Sequence, residues 1–174
     1  MHRVLERIFP KLLLAVVIIQ GIHVIEHIIQ LVQVYVFGVA DDDALAILGY
    51  IFQFQGTEEW LHLVFNVAFL LALYALVLPM RRFVPDTIPP WAFGLFIAGA
   101  VGLETWHVVE HSVIIANVIK NSGCPCPGIG DAALGVTDTQ LHFVYNAIAY
   151  VATVTPFWFL TRGGMQGVNM APAV

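Results

Sequence analysis

Four apolar stretches, each long enough to cross a lipid bilayer, constrain the fold of this chain more than any other feature. A spanning helix needs about 20 mostly apolar residues, whereas a soluble domain would keep a polar face on each helix. Only 11% of the 174 residues are charged. The sequence therefore predicts an all-α, integral membrane four-helix bundle, with spans at Lys11–Val39, Glu58–Pro79, Trp91–Val118 and Thr139–Leu160.

The basic residues predict the orientation of the four helices, because cytoplasmic loops carry an excess of lysine and arginine. Both termini and the central loop are expected in the cytoplasm, and only Lys120 lies on the opposite side. The first stretch continues past the length of a secretory signal and lacks a small-residue cleavage site, so it is expected to remain as a helix. The residues that determine this orientation are Arg3, Arg7, Lys11, Arg81, Arg82 and Arg162.

The chain is expected to be an internal duplication of a two-helix unit. The pentapeptide His-Val-Ile-Glu-His at 23–27 returns as His-Val-Val-Glu-His at 107–111, and the sequence around His62 matches that around His142. Each half holds two spans and so keeps one orientation, which predicts a pseudo-twofold axis along the membrane normal. The predicted units are a first repeat at 1–80, a proline-rich cytoplasmic connector at 81–90, and a second repeat with the C-terminal tail at 91–174.

The histidines and glutamates inside the apolar stretches predict a metal site. Ionisable side chains at such depth are costly and usually mark function. Helix positions i, i+3 and i+4 share one face, so His23, Glu26 and His27 project together. The rise of each helix places His62 and His142 at the same level, in the outer half of the bilayer. The expected metal ligands are His23, Glu26, His27, His62, His107, Glu110, His111 and His142.

Imidazole binds zinc, copper, iron and nickel, and added carboxylates favour iron, manganese or zinc. We therefore expect two divalent or redox-active metal ions, with iron the first choice and copper or zinc next. A dinuclear centre on the pseudo-twofold axis is expected, and one mononuclear centre in each half is the alternative. Glu26 and Glu110 are the candidate catalytic residues, either as ligands or as bases acting on metal-bound water. Glu59 and Glu104, each three residues before a histidine, are further candidates.

A fixed metal centre in a membrane predicts an oxidoreductase that acts on a small apolar or lipid-soluble substrate. The helix-borne histidine pairs are similar in spacing to those of membrane hydroxylases and desaturases, and the similarity covers only those spacings. The alternatives are a non-catalytic metal-binding, metal-transport or structural protein that works with other membrane subunits, and a haem-b electron carrier. A zinc hydrolase is a further alternative, because His-x-x-Glu-His is also the string of inverted zinc peptidases. The net charge of −5 and the few basic residues exclude nucleic acid as a partner.

Several other residues carry expectations of their own. Cys124 and Cys126, in an outer loop, are expected either to bind a soft ion such as Cu(I) or simply to belong to a Gly/Pro-rich turn. Asn66 and Asn146 are expected to form hydrogen bonds between helices, and the segment 44–55 is expected to lie along the outer membrane surface. Close helix packing is expected at the small residues Gly94, Ala98, Gly99 and Gly102.

Overall fold

The computed structural model describes residues 2–52, 58–84, 86–120 and 128–168, and all regular structure within these ranges is helical. A single 3₁₀ turn, Asp41–Asp43, follows the first helix, and a π-helical segment, Phe96–Gly102, joins the fourth helix to the fifth. In chain order the α-helices are α1 (His2–Tyr35), α2 (Ala46–Phe52), α3 (Glu58–Phe83), α4 (Pro90–Leu95), α5 (Leu103–Lys120), α6 (Ile129–Leu134) and α7 (Asp138–Val168).

Four helical segments are long and apolar enough to cross a membrane. One of them is composite, because α4, the π-helical segment and α5 form one continuous rod. The all-α bundle predicted from the sequence is confirmed, whereas the pseudo-twofold relation between its halves stays a prediction. The four segments are Ile8–Tyr35, Trp60–Phe83, Pro90–Lys120 and Asp138–Gly163.

Helix α3 extends past the end that the sequence predicts for the second span. Helix α3 continues past Pro79 to Phe83, although a proline removes one helical hydrogen bond. The last turn is held because the Met80 side chain is completely buried in the core. Helix α4 then begins with Pro90 in its first turn, where the missing N–H of proline is not needed. Helix α3 is therefore four residues longer than the predicted span Glu58–Pro79, and the bounds of the connector at 81–90 stay a prediction.

The interior of the bundle is divided into an apolar end and a polar end. Helix α1 packs mainly on α7, and α3 packs mainly on α5. The apolar end includes fully buried side chains such as Leu13, Leu73 and Phe96. Residues nearer α2 and α6 on the same helices are polar, and many of them are also buried. This polar end is where the predicted metal ligands lie.

The π-helical segment lies where the third span packs most closely on α7. A Cβ atom built at Gly99 would lie 2.9 Å from the Ala152 Cβ, so only glycine fits there without a shift. A Cβ atom at Gly94 would meet nothing within 4 Å, so the expectation of close packing holds at Gly99 and not at Gly94. A π turn rotates the residues that follow it about the helix axis, and such turns are frequent at functional sites. Here the polar residues of α5 follow directly.

These two glycines give a matched test of the packing. We expect Gly99→Ala to destabilise the protein by about 1–3 kcal/mol, because the added methyl group overpacks the contact with Ala152. Gly94→Ala is expected to stabilise it by about 0.5–1 kcal/mol, since alanine is the better helix former and has space. Thermal unfolding of both variants in the same detergent measures the difference. Equal melting temperatures for the two variants would contradict the close packing of the π-helical segment on α7.

Candidate metal centre

All six histidines predicted as ligands lie in one cluster at the polar end of the bundle. Helices α1 and α5 contribute two each, one helical turn apart, and α3 and α7 contribute one each. Neighbouring imidazole rings of the cluster have centroids 4.6 to 6.2 Å apart, so every ring has another imidazole ring within 6.2 Å. The cluster comprises His23, His27, His62, His107, His111 and His142.

The second half of the chain supplies the compact part of this cluster. The rings of His107, His111 and His142 have centroids 4.6 to 4.9 Å apart. One potential ligand atom from each residue lies within 4.8 Å of the other two, and all three side chains are buried. This arrangement is compatible with a bound metal ion. We call these three residues the closed triad.

The first half supplies three histidines that are spaced more widely. His23 and His27 have ring centroids 4.6 Å apart, but each of these rings is 6.2 Å from the ring of His62. His62 is also only partly buried. We call these three residues the open triad. The two triads touch, because the His27 and His142 rings are 6.0 Å apart and the His62 and His111 rings are 5.4 Å apart.

Within each helix the paired histidines direct the same ring nitrogen at one another. The Nε2 atoms of His23 and His27 are 3.2 Å apart, and those of His107 and His111 are 3.1 Å apart. Two nitrogen ligands bound at about 2.0–2.1 Å to a tetrahedral ion are separated by roughly 3.3 Å. Each pair is therefore spaced to chelate a single ion through Nε2.

The other ring nitrogen, Nδ1, lies near a side-chain oxygen atom in at least three of the histidines, His27, His107 and His142. The Nδ1 atom of His142 lies 2.9 Å from Asp138 Oδ2, and that of His27 lies 2.7 Å from Gln30 Oε1. The Nδ1 atom of His107 is 3.6 Å from Glu104 Oε2, which is too far for a hydrogen bond, and it has no hydrogen-bond partner among the described residues. Metal-binding histidines nearly always donate the second N–H to such an oxygen, which fixes the tautomer and the ring orientation. The arrangement favours metal binding through Nε2.

The two predicted carboxylate ligands each hold the start of a short helix. Glu26 Oε2 accepts hydrogen bonds from the backbone N–H groups of Ile47 and Leu48 in α2, at 2.9 and 3.0 Å. Glu110 Oε1 accepts one from Gly130 in α6, at 2.7 Å. These bonds satisfy N–H groups that a helix start leaves without partners. The roles of Glu26 and Glu110 as metal ligands or bases stay predictions.

Glu110 differs from Glu26 in its surroundings. Its side chain is completely buried, and its second oxygen, Oε2, has no hydrogen-bond partner among the described residues. The backbone at Gly128 packs directly on this carboxylate, so that a Cβ atom there would collide with Glu110 Oε1. Burial of a carboxylate without full hydrogen bonding is costly unless a positive charge is close.

A second layer of polar side chains lies one helical turn from the histidines, toward the apolar end. Gln20 donates a hydrogen bond to Asn146 Oδ1 at 2.8 Å, which confirms the interhelical bond expected of Asn146. Asn66 is buried, but neither atom of its amide group is hydrogen-bonded within the part of the chain that the structure describes. Glu104 is buried beside His107, and its Oε1 atom also lacks such a partner there. The side chain of Glu59, which the sequence also suggested as a candidate, is not among those that the structure describes.

Two residues of the site were missed from the sequence, Asp138 and Gln30. Asp138 precedes His142 by four residues, and a carboxylate at i−4 of a helical histidine can reach its ring. The same spacing separates Glu58 from His62 in the sequence. This repeated spacing of a carboxylate and a histidine could have identified Asp138. Gln30 follows His27 by three residues, which is a common spacing and a weak signal by itself.

Near the site but outside the spans, Asp131 on α6 is buried and accepts a hydrogen bond from the Gly128 N–H at 3.1 Å. Burial, together with the negative charge of nearby Asp138, raises the pKa of Asp131 above its ordinary value.

Cys124 and Cys126, the candidate Cu(I) ligands, lie outside the described residues.

Comparison with known proteins gives no match for this chain. No protein-family model, curated protein or solved structure matches it. What can be concluded about function therefore depends on the geometry of the histidine cluster.

Proposed function

We propose that this chain is an integral membrane oxidoreductase with a histidine-bound di-metal centre. The observation that supports it best is the closed triad, in which three buried histidines from two helices converge within 4.8 Å. One member of that triad, His142, also has a carboxylate oxygen, Asp138 Oδ2, 2.9 Å from its Nδ1 atom. Buried imidazole rings packed only for stability would not need both features.

The two triads favour two ions with different surroundings. The closed triad would hold an ion with little access from outside, because its three side chains are buried. The open triad would hold a second ion and leave one face accessible, as catalytic sites do. Buried carboxylates at Glu104 and Glu110 would partly offset the added positive charge in this apolar environment. Iron and copper fit the ligand types and the proposed redox role, and zinc fits only the ligand types.

The packing argues against the two main alternatives. Two imidazoles on opposite faces of one haem iron have ring centroids about 6 Å apart, so the rings of the closed triad, with centroids 4.6 to 4.9 Å apart, are too close to be an axial pair. A metal transporter needs a polar path through the bundle, but the end opposite the histidines is filled by apolar side chains, including Leu13, Leu76 and Phe96. The cluster is therefore suited to a fixed centre. With both termini in the cytoplasm, that centre would lie in the outer half of the bilayer.

An electron-counting titration tests the redox role. Purified protein loaded with iron, or separately with copper, is reduced stepwise without oxygen while its absorption and electron paramagnetic resonance spectra are recorded. We expect reversible uptake of about two electrons per chain, one for each ion. Loading with zinc is the control and should give no uptake. A protein that retains only zinc, or whose bound iron and copper cannot be reduced, would contradict the oxidoreductase assignment.

A further inference from the structure

The first half of the chain leaves a cavity beside the histidine cluster. It has a volume of about 410 Å³ and lies between α1 and α3, beneath α2. Its apolar wall includes Ile22, Leu48, Leu61 and Phe65. Ligand pockets are typically of this kind, mostly apolar with a few convergent polar groups. The polar side chains that line it are His23, Glu26, His27, Gln30 and His62.

Helix α2, which covers this cavity, is held in place by hydrogen bonds that its backbone donates to side chains of α1. Glu26 accepts from the N–H groups of Ile47 and Leu48, and Gln33 Oε1 accepts from Ala46 at 2.9 Å. All three donors belong to the first turn of α2, and the Leu48 side chain faces the cavity. Helix α2 is thus fixed over the open triad by side chains of α1. The cavity is a built feature of the fold rather than a gap left by poor packing.

The second half of the chain is closed at the corresponding place. There the backbone of Gly128 and Gly130 packs on Glu110, and a Cβ atom at Gly130 would lie 2.6 Å from Leu141 and 2.9 Å from Tyr145. Glu110 is completely buried, whereas Glu26 lines the cavity. The two halves therefore differ in access as well as in the spacing of their histidines.

We propose that this cavity binds a membrane-soluble molecule with a hydroxyl-bearing aromatic head, a phenol or a quinol. Four aromatic rings line it, and the rings of His23 and Phe65 are stacked with centroids 4.3 Å apart. Such surfaces favour flat rings, while Glu26 and Gln30 can form hydrogen bonds with a hydroxyl group. The apolar wall accommodates the rest of the molecule. Ile22 is half exposed on the side of the bundle that would face lipid, so the molecule can enter from the bilayer.

This proposal rests on the proposed function only in placing the ring next to the metal centre, and binding can be measured without metal. Decylbenzoquinol is titrated into the full chain in lipid nanodiscs, with empty nanodiscs as the baseline for partitioning. We expect Ile22→Trp, which fills the cavity, to weaken binding by at least about tenfold. Ile25→Trp is the matched control, because Ile25 lies on the same helix with similar exposure, 55% against 50%, and is not part of the cavity lining. It should bind like the unmodified chain.

Two outcomes would overturn the proposal. If Ile22→Trp binds decylbenzoquinol as tightly as Ile25→Trp, the cavity is not the binding site. If decanol competes as well as the quinol does, the cavity holds an alkyl chain and does not recognise an aromatic head. Metal content, determined by elemental analysis on the same samples, is an independent readout. Quinol binding by a chain that takes up no metal would refute the metal centre and leave this site standing.

Discussion

Replacing His111 by alanine is expected to weaken metal binding by more than about 100-fold. His111 is completely buried, and its Nε2 atom lies 3.1 Å from that of His107 in the closed triad. Loss of an oxygen atom that only orients a ligand costs about 10- to 100-fold in affinity, so loss of a ligand itself should cost more. The measurement is competition for iron, copper or zinc against a chromophoric chelator of known affinity.

The remaining histidines supply the controls for this substitution. His2, which is remote in the sequence from the other six, should be replaceable by alanine with no change in affinity. His62→Ala removes a proposed ligand of the open triad and none of the closed triad, so it should remove one ion at most and leave the closed triad loaded. Circular dichroism checks that each variant stays helical. A folded His111→Ala protein that binds metal as tightly as the unmodified chain would contradict the closed triad as a metal site.

Replacing Asp138 by asparagine is expected to weaken metal binding by about 10- to 100-fold without unfolding the protein. The Asp138 carboxylate lies 2.9 Å from His142 Nδ1 and is 41% exposed. Asparagine keeps the size of the side chain and is about as favourable near a helix start, so α7 should still form. What changes is the negative charge beside Nδ1, which helps to orient the imidazole ring and makes Nε2 more basic, while the Asp138 backbone oxygen stays 3.0 Å from the same nitrogen. Metal affinity is measured by the same competition.

Two further variants separate this role from a general effect of charge. Asp138→Glu keeps the carboxylate and should recover most of the affinity. Asp86→Asn removes the same charge from an exposed position in the connector, remote in the fold from the histidines, and should leave the affinity unchanged. If Asp138→Asn lowers the melting temperature of the metal-free protein but not the affinity for metal, its role is structural and the orienting function is refuted.

The sequence predicts the bundle and the histidine cluster well because both depend on simple periodicities. Apolar length alone determines which segments can span a bilayer. The i, i+4 spacing of His23 and His27 places both on one face whatever the details of packing. The depth of His62, read from the helical rise, then brings it to the same level. These inferences need no knowledge of the loops.

The hydrogen-bond partners of the glutamate side chains could not be predicted from the sequence in this way. Glu26 binds backbone N–H groups of α2 about twenty residues further along the chain, and any exposed helix start offers the same donors. A glutamate beside two histidines therefore resembles a metal ligand in the sequence even when one of its oxygens holds a helix. The close approach of Gly99 to Ala152 is equally hidden, because it depends on how the third span packs on α7.

The difference between the halves also depends on packing rather than on pattern. The pentapeptides at 23–27 and 107–111 are nearly identical, yet one borders a cavity and the other is sealed. The glycines at 128 and 130 allow the backbone to close over Glu110, whereas Leu45 and Leu48 line the cavity beside Glu26. A duplicated motif thus predicts the same candidate ligands in both halves, but it does not predict whether both sites are open to other molecules.

Elemental analysis of the purified chain tests the metal centre most directly. The protein is prepared from cells supplied with iron, copper and zinc, and a second sample is reloaded after chelation. We expect about two equivalents of transition metal per chain in a two-ion centre, with the closed triad retaining the last equivalent during dialysis. Less than about one tenth of an equivalent in every preparation, including the reloaded sample, would contradict a metal centre in this histidine cluster.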